Sequence, residues 1–474
     1  MTTSCWPAKR GWASASGRAT TGSTRRSTTC TSRDPKPTGG SMALFGRRKK
    51  RTLVIGLDGV PHSLLQRFIS DGTMPELAKL ASSGHLSRMK VTLPEISAVS
   101  WPSFMTGVNP GTHGVFGFVD WKPDSYDIRF PNYRDLKAPT IWDRLGEKKK
   151  RSIVINQPST YPAREVDGVL VSGFVAISLK KAVWPIRYVS DLQDMNYKID
   201  IDTARAREDH DYLIDDLGYT LESRLRILEH FWKTEDWDYT EVVVTGTDRI
   251  QHYIWDALED AGHRFHDAFI DYYRKVDEFI GRVVAKFGEV SGRPEGEGLF
   301  LLSDHGFCGI KQEVRVNRWL AENGFLEFED DTPGSLEQVS KSSRAFALDP
   351  GRIYLNRKGR FPRGGVDDDA ARSIIDEIKA GLSELTHEGE PVIERVFERD
   401  EVYSGPVADR GPDLLPVGNH GFDLKGTIKE PEVFGRTNLT GMHTWDDAFF
   451  WSKDEPEGEV EITQLAGKIL EAAT

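Results

Sequence analysis

The chain has 474 residues, 38% hydrophobic and 28% charged, and carries a net charge of −11. This is an ordinary soluble composition, long enough for one large domain with insertions or for two domains. The acidic balance and the lack of a basic stripe exclude a nucleic-acid polymer as the expected partner. No run approaches the roughly 18 apolar residues of a membrane span, and three cysteines make no disulfide scaffold.

Residues 1–41 are rich in Ser, Thr, Gly and Arg, with Asp34 the first acid. They lack apolar periodicity and are predicted to be disordered. Met42 opens Met-Ala-Leu-Phe-Gly-Arg-Arg-Lys-Lys-Arg51, which runs into the first apolar segment. That reads as a natural protein start, so the upstream stretch is expected to stem from a misassigned initiation codon. Cys5 and Cys30 lie in this tail, leaving Cys308 alone in the body of the chain. With no apolar export segment, a reducing, cytoplasmic location is expected.

Beyond Met42, short β-branched runs alternate with helical patterns. Strands are predicted at 52–57, 152–156, 168–174, 240–245, 298–303 and 447–451, with a weaker signal at 412–417. Helices are predicted at 62–70, 75–83, 139–147, 220–233, 263–288, 316–323, 367–384 and 460–472. The alternation implies an α/β fold, a mostly parallel central sheet with helices on both faces. Two polar stretches, near 175–215 and 324–366, read as cap-like insertions. Ligands of such sheets gather at the carboxyl ends of the strands.

Candidate site residues follow the strand runs. Asp58 closes Thr52-Leu-Val-Ile-Gly-Leu-Asp58. Asp248 and His252 share Thr247-Asp-Arg-Ile-Gln-His252, spaced so that one helical face would carry both. Alone, such a pair is more often a surface ion pair. Asp304 and His305 follow the apolar run Gly298-Leu-Phe-Leu-Leu302. Neighbours in a strand point apart, so they converge only if the strand ends there, and Gly306 permits a turn. An unpartnered Asp at such a buried strand end would be costly. His443 is placed in a glycine-flanked loop, where a lone His ordinarily means little. Segment 94–107 offers Ser97, Ser100 and Ser103 as nucleophiles. If a helix begins near Ser97, its N-terminus favours a phosphoryl anion there, while Ser100 and Ser103 pack inward with Trp101 and Phe104. Three carboxylates, three imidazoles and one hydroxyl suit two Zn²⁺-like ions and a nucleophile.

In their order, these segments resemble the alkaline phosphatase superfamily, most closely the type I phosphodiesterase/nucleotide pyrophosphatase family. In that family a Ser or Thr nucleophile stands nine residues before Thr-Gly, which leads into Pro-x-x-His-Gly. Ser97 stands nine before Thr106-Gly107, and Pro110-Gly-Thr-His113-Gly114 follows. The resemblance selects Ser97 and implies an alkaline-phosphatase-like catalytic domain over 42–474. It implies that Asp58, Ser97, Asp304 and His305 hold one divalent ion, and Asp248, His252 and His443 a second. Zn²⁺ is the expected metal, Mn²⁺ the alternative. His113 is not a family ligand and is expected to orient its loop.

The implied activity is metal-dependent hydrolysis of a small-molecule phosphate ester or nucleotide through a phosphoseryl intermediate. Phosphomonoesterase or phosphomutase-like transfer is the alternative within the superfamily, and a non-catalytic metal-binding protein the alternative outside it. One departure stands out. Nucleotide pyrophosphatases carry an Asn 21 residues after the nucleophile, donating to a phosphoryl oxygen, and Phe118 occupies that position. Another donor, such as one of the arginines between 344 and 363, or another substrate is then required.

Overall fold

The computed structural model describes residues 49–330 and 334–474. The predicted tail 1–41 and the start at Met42 lie outside the described residues. Nine strands form the main sheet: β1 (Thr52–Leu57), β2 (His85–Lys90), β3 (Ser152–Gln157), β4 (Gly168–Ser172), β5 (Val183–Trp184), β6 (Tyr239–Val244), β7 (Leu299–Leu302), β8 (Ala448–Ser452) and β9 (Val460–Glu461). Their spatial order is β9-β2-β8-β7-β1-β6-β3-β4-β5. The five strands from β7 to β4 run parallel, with β1 between β7 and β6. Strands β8 and β5 are antiparallel to their neighbours.

The central strands are apolar on both faces because both faces are covered. On β1, Leu53, Ile55 and Leu57 join one buried cluster while Val54 joins another. The first cluster is closed by the helices His62–Ser70, Pro75–Ser83, α2 (His210–Thr234), α3 (Gly246–Glu259) and α4 (His266–Val290). The second is closed by α1 (Ser97–Thr106), Ile141–Glu147 and Leu465–Ala473. Each fully buried Leu, Ile or Phe contributes roughly 1.5–3 kcal/mol.

Residues 175–215 hold β5, three short helices and the first turns of α2; their Val183, Tyr188, Leu192 and Ile201 enter the main core. A second hydrophobic cluster draws on residues between Val314 and Leu424, with Trp121 and Tyr126. It packs an antiparallel sheet of Ala345–Leu348, Arg352–Leu355, Leu414–Gly418 and Ile393–Glu398 against helices Val316–Glu322 and Asp368–Ser383. The 412–417 signal therefore belongs to this smaller sheet and not to the central one. Among the described residues, no helix is long and apolar enough to cross a membrane.

Candidate metal and phosphoester site

The carboxyl ends of β1, β6 and β7 bring the candidate residues together. Asp58 follows β1 directly, and its backbone N–H donates to Val244 O at the end of β6 (3.0 Å). Gly59 then turns the chain at φ +70°, and its N–H donates to Asp304 Oδ1 (3.0 Å). A Cβ on Gly59 would lie 3.0 Å from the His305 ring, so the turn and the crowding both require glycine. Strand β7 stops at Leu302, and pairing resumes at Gly306–Gly309, so Asp304 and His305 occupy the break. Gly306 serves a close approach: a Cβ there would sit 2.4 Å from Thr444 Oγ1.

His443 departs from expectation. It sits in the strand Gly441–Thr444, antiparallel to Gly306–Gly309, with Phe307 opposite. Flanking glycine suggests a loop in the sequence, but this two-residue-period ribbon is stabilised only by its distant partner strand. Asp248 and His252 lie on α3 as i, i+4 neighbours, with Asp248 Oδ2 3.2 Å from His252 Nε2 and 3.2 Å from His443 Nε2.

Ser97 is the first residue of α1. Its Oγ lies 3.3 Å from Asp58 Oδ1 and 3.1 Å from His305 Nε2. Ser100 and Ser103 are fully buried, as are Trp101 and Phe104. Trp101 Nε1 donates to Asp58 Oδ2 (3.3 Å), so the helix that carries the hydroxyl also holds the carboxylate beside it. His113 lies outside the cluster. It accepts from Val115 N at Nδ1 (3.2 Å) and meets Ser103 Oγ at Nε2 (3.0 Å), and burial lowers its pKa to about 3.

All three site imidazoles share one arrangement. His305 Nδ1 faces Gly306 O (3.0 Å), His252 Nδ1 faces Gly441 O (3.0 Å) and His443 Nδ1 faces Glu95 O (2.9 Å). A carbonyl oxygen only accepts, so Nδ1 carries the proton and each Nε2 presents a lone pair to the cluster. His252 Nε2 and His443 Nε2 stand 2.9 Å apart. Two lone pairs at that distance repel unless a cation or a proton lies between them. Backbone carbonyls that fix metal-ligating histidines in this tautomer are the usual outer support of a metal site.

The carboxylates tell the same story from the other sign. Burial, then the nearby Asp304 and Asp248 charges, push Asp58 well above the usual carboxylate range. Burial raises Asp304 to about 7. Its Oδ2 is buried without a hydrogen-bond partner, 3.4 Å from the His305 Nε2 lone pair. Asp248 is held well below its ordinary value: burial opposes this, but His252, His443 and Arg249 outweigh it. Burial, with the neighbouring His443, lowers His305 to about 4, and burial lowers His443 as well.

Donor atoms gather in two groups within 4.8 Å: Asp248, His252 and His443, and Asp58, Asp248 and His305. Asp248 belongs to both, so the groups adjoin, and Asp304 stands beside the second. Buried carboxylates facing imidazole lone pairs, with an orphaned carboxylate oxygen among them, fit divalent metal binding.

The sequence profile described as Type I phosphodiesterase / nucleotide pyrophosphatase matches residues 52–446. The chain belongs to that family. A search of curated proteins finds no match. Among solved structures, phosphonoacetate hydrolase from Sinorhizobium meliloti with phosphonoformate is similar at a TM-score of 0.60 and 15% identity, over 90% of this chain and 97% of that one. Murine ectonucleotide pyrophosphatase/phosphodiesterase 5 is similar at 0.52 and 13%, over 90% and 95%. These likenesses carry the fold, an alkaline-phosphatase-like sheet with helices around it and small sheets as insertions.

Sequence reading missed the residues that hold the ligands. Arg249 Nη1 donates to Asp248 Oδ1 (2.8 Å), and its Nη2 donates to Asp200 Oδ2 (2.7 Å). Thr247 Oγ1 donates to Asp58 O (2.6 Å) and Gln251 Nε2 to Gly59 O (2.9 Å). Only the position of Arg249 next to Asp248 could have signalled this. The arginines considered in place of the missing Asn are engaged elsewhere. Arg344 pairs with Glu377, Arg352 donates to Val119 O and Asp349 O, and Arg363 donates to Val339 O.

Proposed function

We propose that the protein is a two-cation hydrolase of small-molecule phosphate esters, acting on phosphodiester or nucleotide pyrophosphate bonds through a phosphoseryl intermediate on Ser97. The observation that carries the reading is the convergence of three imidazole lone pairs and three buried carboxylates beside one serine hydroxyl. Asp58, Ser97, Asp304 and His305 would hold one ion, and Asp248, His252 and His443 the other. The nitrogen-and-carboxylate donor set suits Zn²⁺, with Mn²⁺ second. When bound, the ions stabilise developing phosphoryl charge and lower the pKa of the serine hydroxyl.

The chain's own groups do the rest. Ser97 Oγ attacks phosphorus in line, the bond to the leaving oxygen breaks, and the alcohol departs with a proton. Water then attacks the same phosphorus, the Ser97 Oγ–P bond breaks and the hydroxyl returns. The N–H groups of Ser97 and Ala98 at the start of α1 would donate to the transferred anion, since those of Val99 and Ser100 are already bonded to Ile96 O. A metal-free Ser–His mechanism fits poorly. The Nδ1 partner of His305 is a backbone carbonyl in place of a carboxylate, and a base near 4 is weak at neutral pH.

Phe118 in place of the family Asn favours one second reading, a phosphomonoesterase or phosphoryl transferase on the same residues. The test is a panel of aryl and nucleotide mono- and diesters, with a phosphonate added, assayed with and without chelator. Chelator-sensitive turnover is expected. A phosphoseryl peptide containing residue 97 is expected in quenched wild type and absent from Ser97→Ala. Metal-bound protein that turns over none of the panel contradicts the reading.

A further inference from the structure

Phe118 is one of the few exposed large hydrophobics among the described residues, 36% accessible. It is not isolated. Its ring meets Phe174 edge-to-face, with centroids 5.8 Å apart. Phe174 follows β4 at its carboxyl end, the same end of the sheet as the site, and Val175 beside it is 44% accessible. The Arg249 guanidinium lies 4.2 Å above the Phe174 ring and bonds Asp248. The two rings therefore continue outward from a candidate ligand as one apolar wall. Arg249 is neutralised between Asp248 and Asp200, so no uncompensated charge lies under it.

Apolar surface kept open at a site rimmed by charge marks a ligand contact. Phe118 stands at the sequence position, 21 residues after Ser97, where a nucleotide pyrophosphatase carries an Asn amide. The wall can offer a substrate area and ring edges, and no hydrogen bond.

We propose that Phe118 and Phe174 form the subsite for the alcohol portion of the substrate, and that this portion is an aryl or other apolar group. The inference rests on the phosphoester reading above. One ring face laid against such a wall is worth about tenfold in affinity.

The test compares phenylphosphonate with methylphosphonate by calorimetric titration of the metal-loaded protein. Wild type is expected to bind the phenyl compound about tenfold more tightly. Phe118→Ser should reduce that preference to about twofold or less, with metal content unchanged, while Phe118→Leu, which retains apolar area, should restore most of it. A wild-type preference below twofold, or one that Phe118→Ser leaves intact, overturns the subsite. Failure of both phosphonates and of inorganic phosphate to bind metal-loaded protein overturns the phosphoester reading itself, and the subsite with it.

Discussion

Replacing Asp304 by Asn should stabilise the metal-free protein and destabilise the metal-loaded one. Asp304 is fully buried, its Oδ2 has no hydrogen-bond partner, and its pKa rises from 3.8 to about 7. Without metal, the unfolded chain releases this proton near pH 4 and the folded chain near pH 7. The carboxyl's favourable contribution is thus complete below pH 4 and lost as pH rises to 7. Three pKa units correspond to about 4 kcal/mol, and relaxation of the site lowers this to about 2–4 kcal/mol at pH 8. Asn escapes the loss, keeps an oxygen for the Gly59 N–H, and turns an N–H toward the His305 Nε2 lone pair. For a unit of this size, unfolding entropy near 0.9 kcal/mol per degree gives an increase of about 2–4 °C in Tm. The metal-free difference should shrink to less than half by pH 5. Saturating metal should reverse the order, because a bound ion stabilises wild type by RT ln(1 + [M]/Kd), about 4 kcal/mol at a thousandfold excess over Kd, and the variant lacks one donor. Thermal unfolding at pH 8, with chelator and with Zn²⁺, reads both arms. A metal-free variant less stable than wild type, or an order that metal leaves unchanged, refutes the reasoning.

Metal affinity should rise steeply between pH 6 and 8, because raised Asp58 and Asp304 must lose protons to bind a cation, whereas His305 and His443, both lowered, are already neutral there. Titration in buffers of different ionisation heat should show proton release, and pH-independent affinity would contradict the carboxylate assignment. Phe118→Asn should raise kcat/KM for a nucleotide diester about tenfold or more over wild type, since the amide donates to a charged phosphoryl oxygen; an unchanged ratio of nucleotide to aryl turnover would remove the position from specificity. Arg249→Ala should weaken metal binding about 10- to 100-fold by freeing Asp248, with partial recovery in Arg249→Lys, as measured by chelator competition.

The central strands were legible because burial on both faces leaves continuous apolar runs: 52–57 matches β1 residue for residue. The acids were legible because each follows such a run. Strand β2 was not. Its sequence His-Leu-Ser-Arg-Met-Lys is half-exposed, and its identity depends on pairing with β8 far along the chain. Helix α2 begins at His210 and not near 220, since its first turns are polar and are set by the Asp209 cap. The strand character of His443 and the clamp on Asp248 are long-range facts, invisible in local pattern. In the second lobe the helices at 316–323 and 367–384 were legible, but the strands Ala345–Leu348 and Arg352–Leu355 lay hidden in a stretch read as polar, because they are short and their core draws on Trp121 and Tyr126 some 200 residues upstream.

The most direct measurement is anomalous diffraction at the zinc edge from metal-loaded crystals. Two peaks are expected, one contacted by Asp58, Ser97, Asp304 and His305, the other by Asp248, His252 and His443. No peak in that cluster under saturating metal, or metal bound elsewhere while these side chains stay as described, would contradict it.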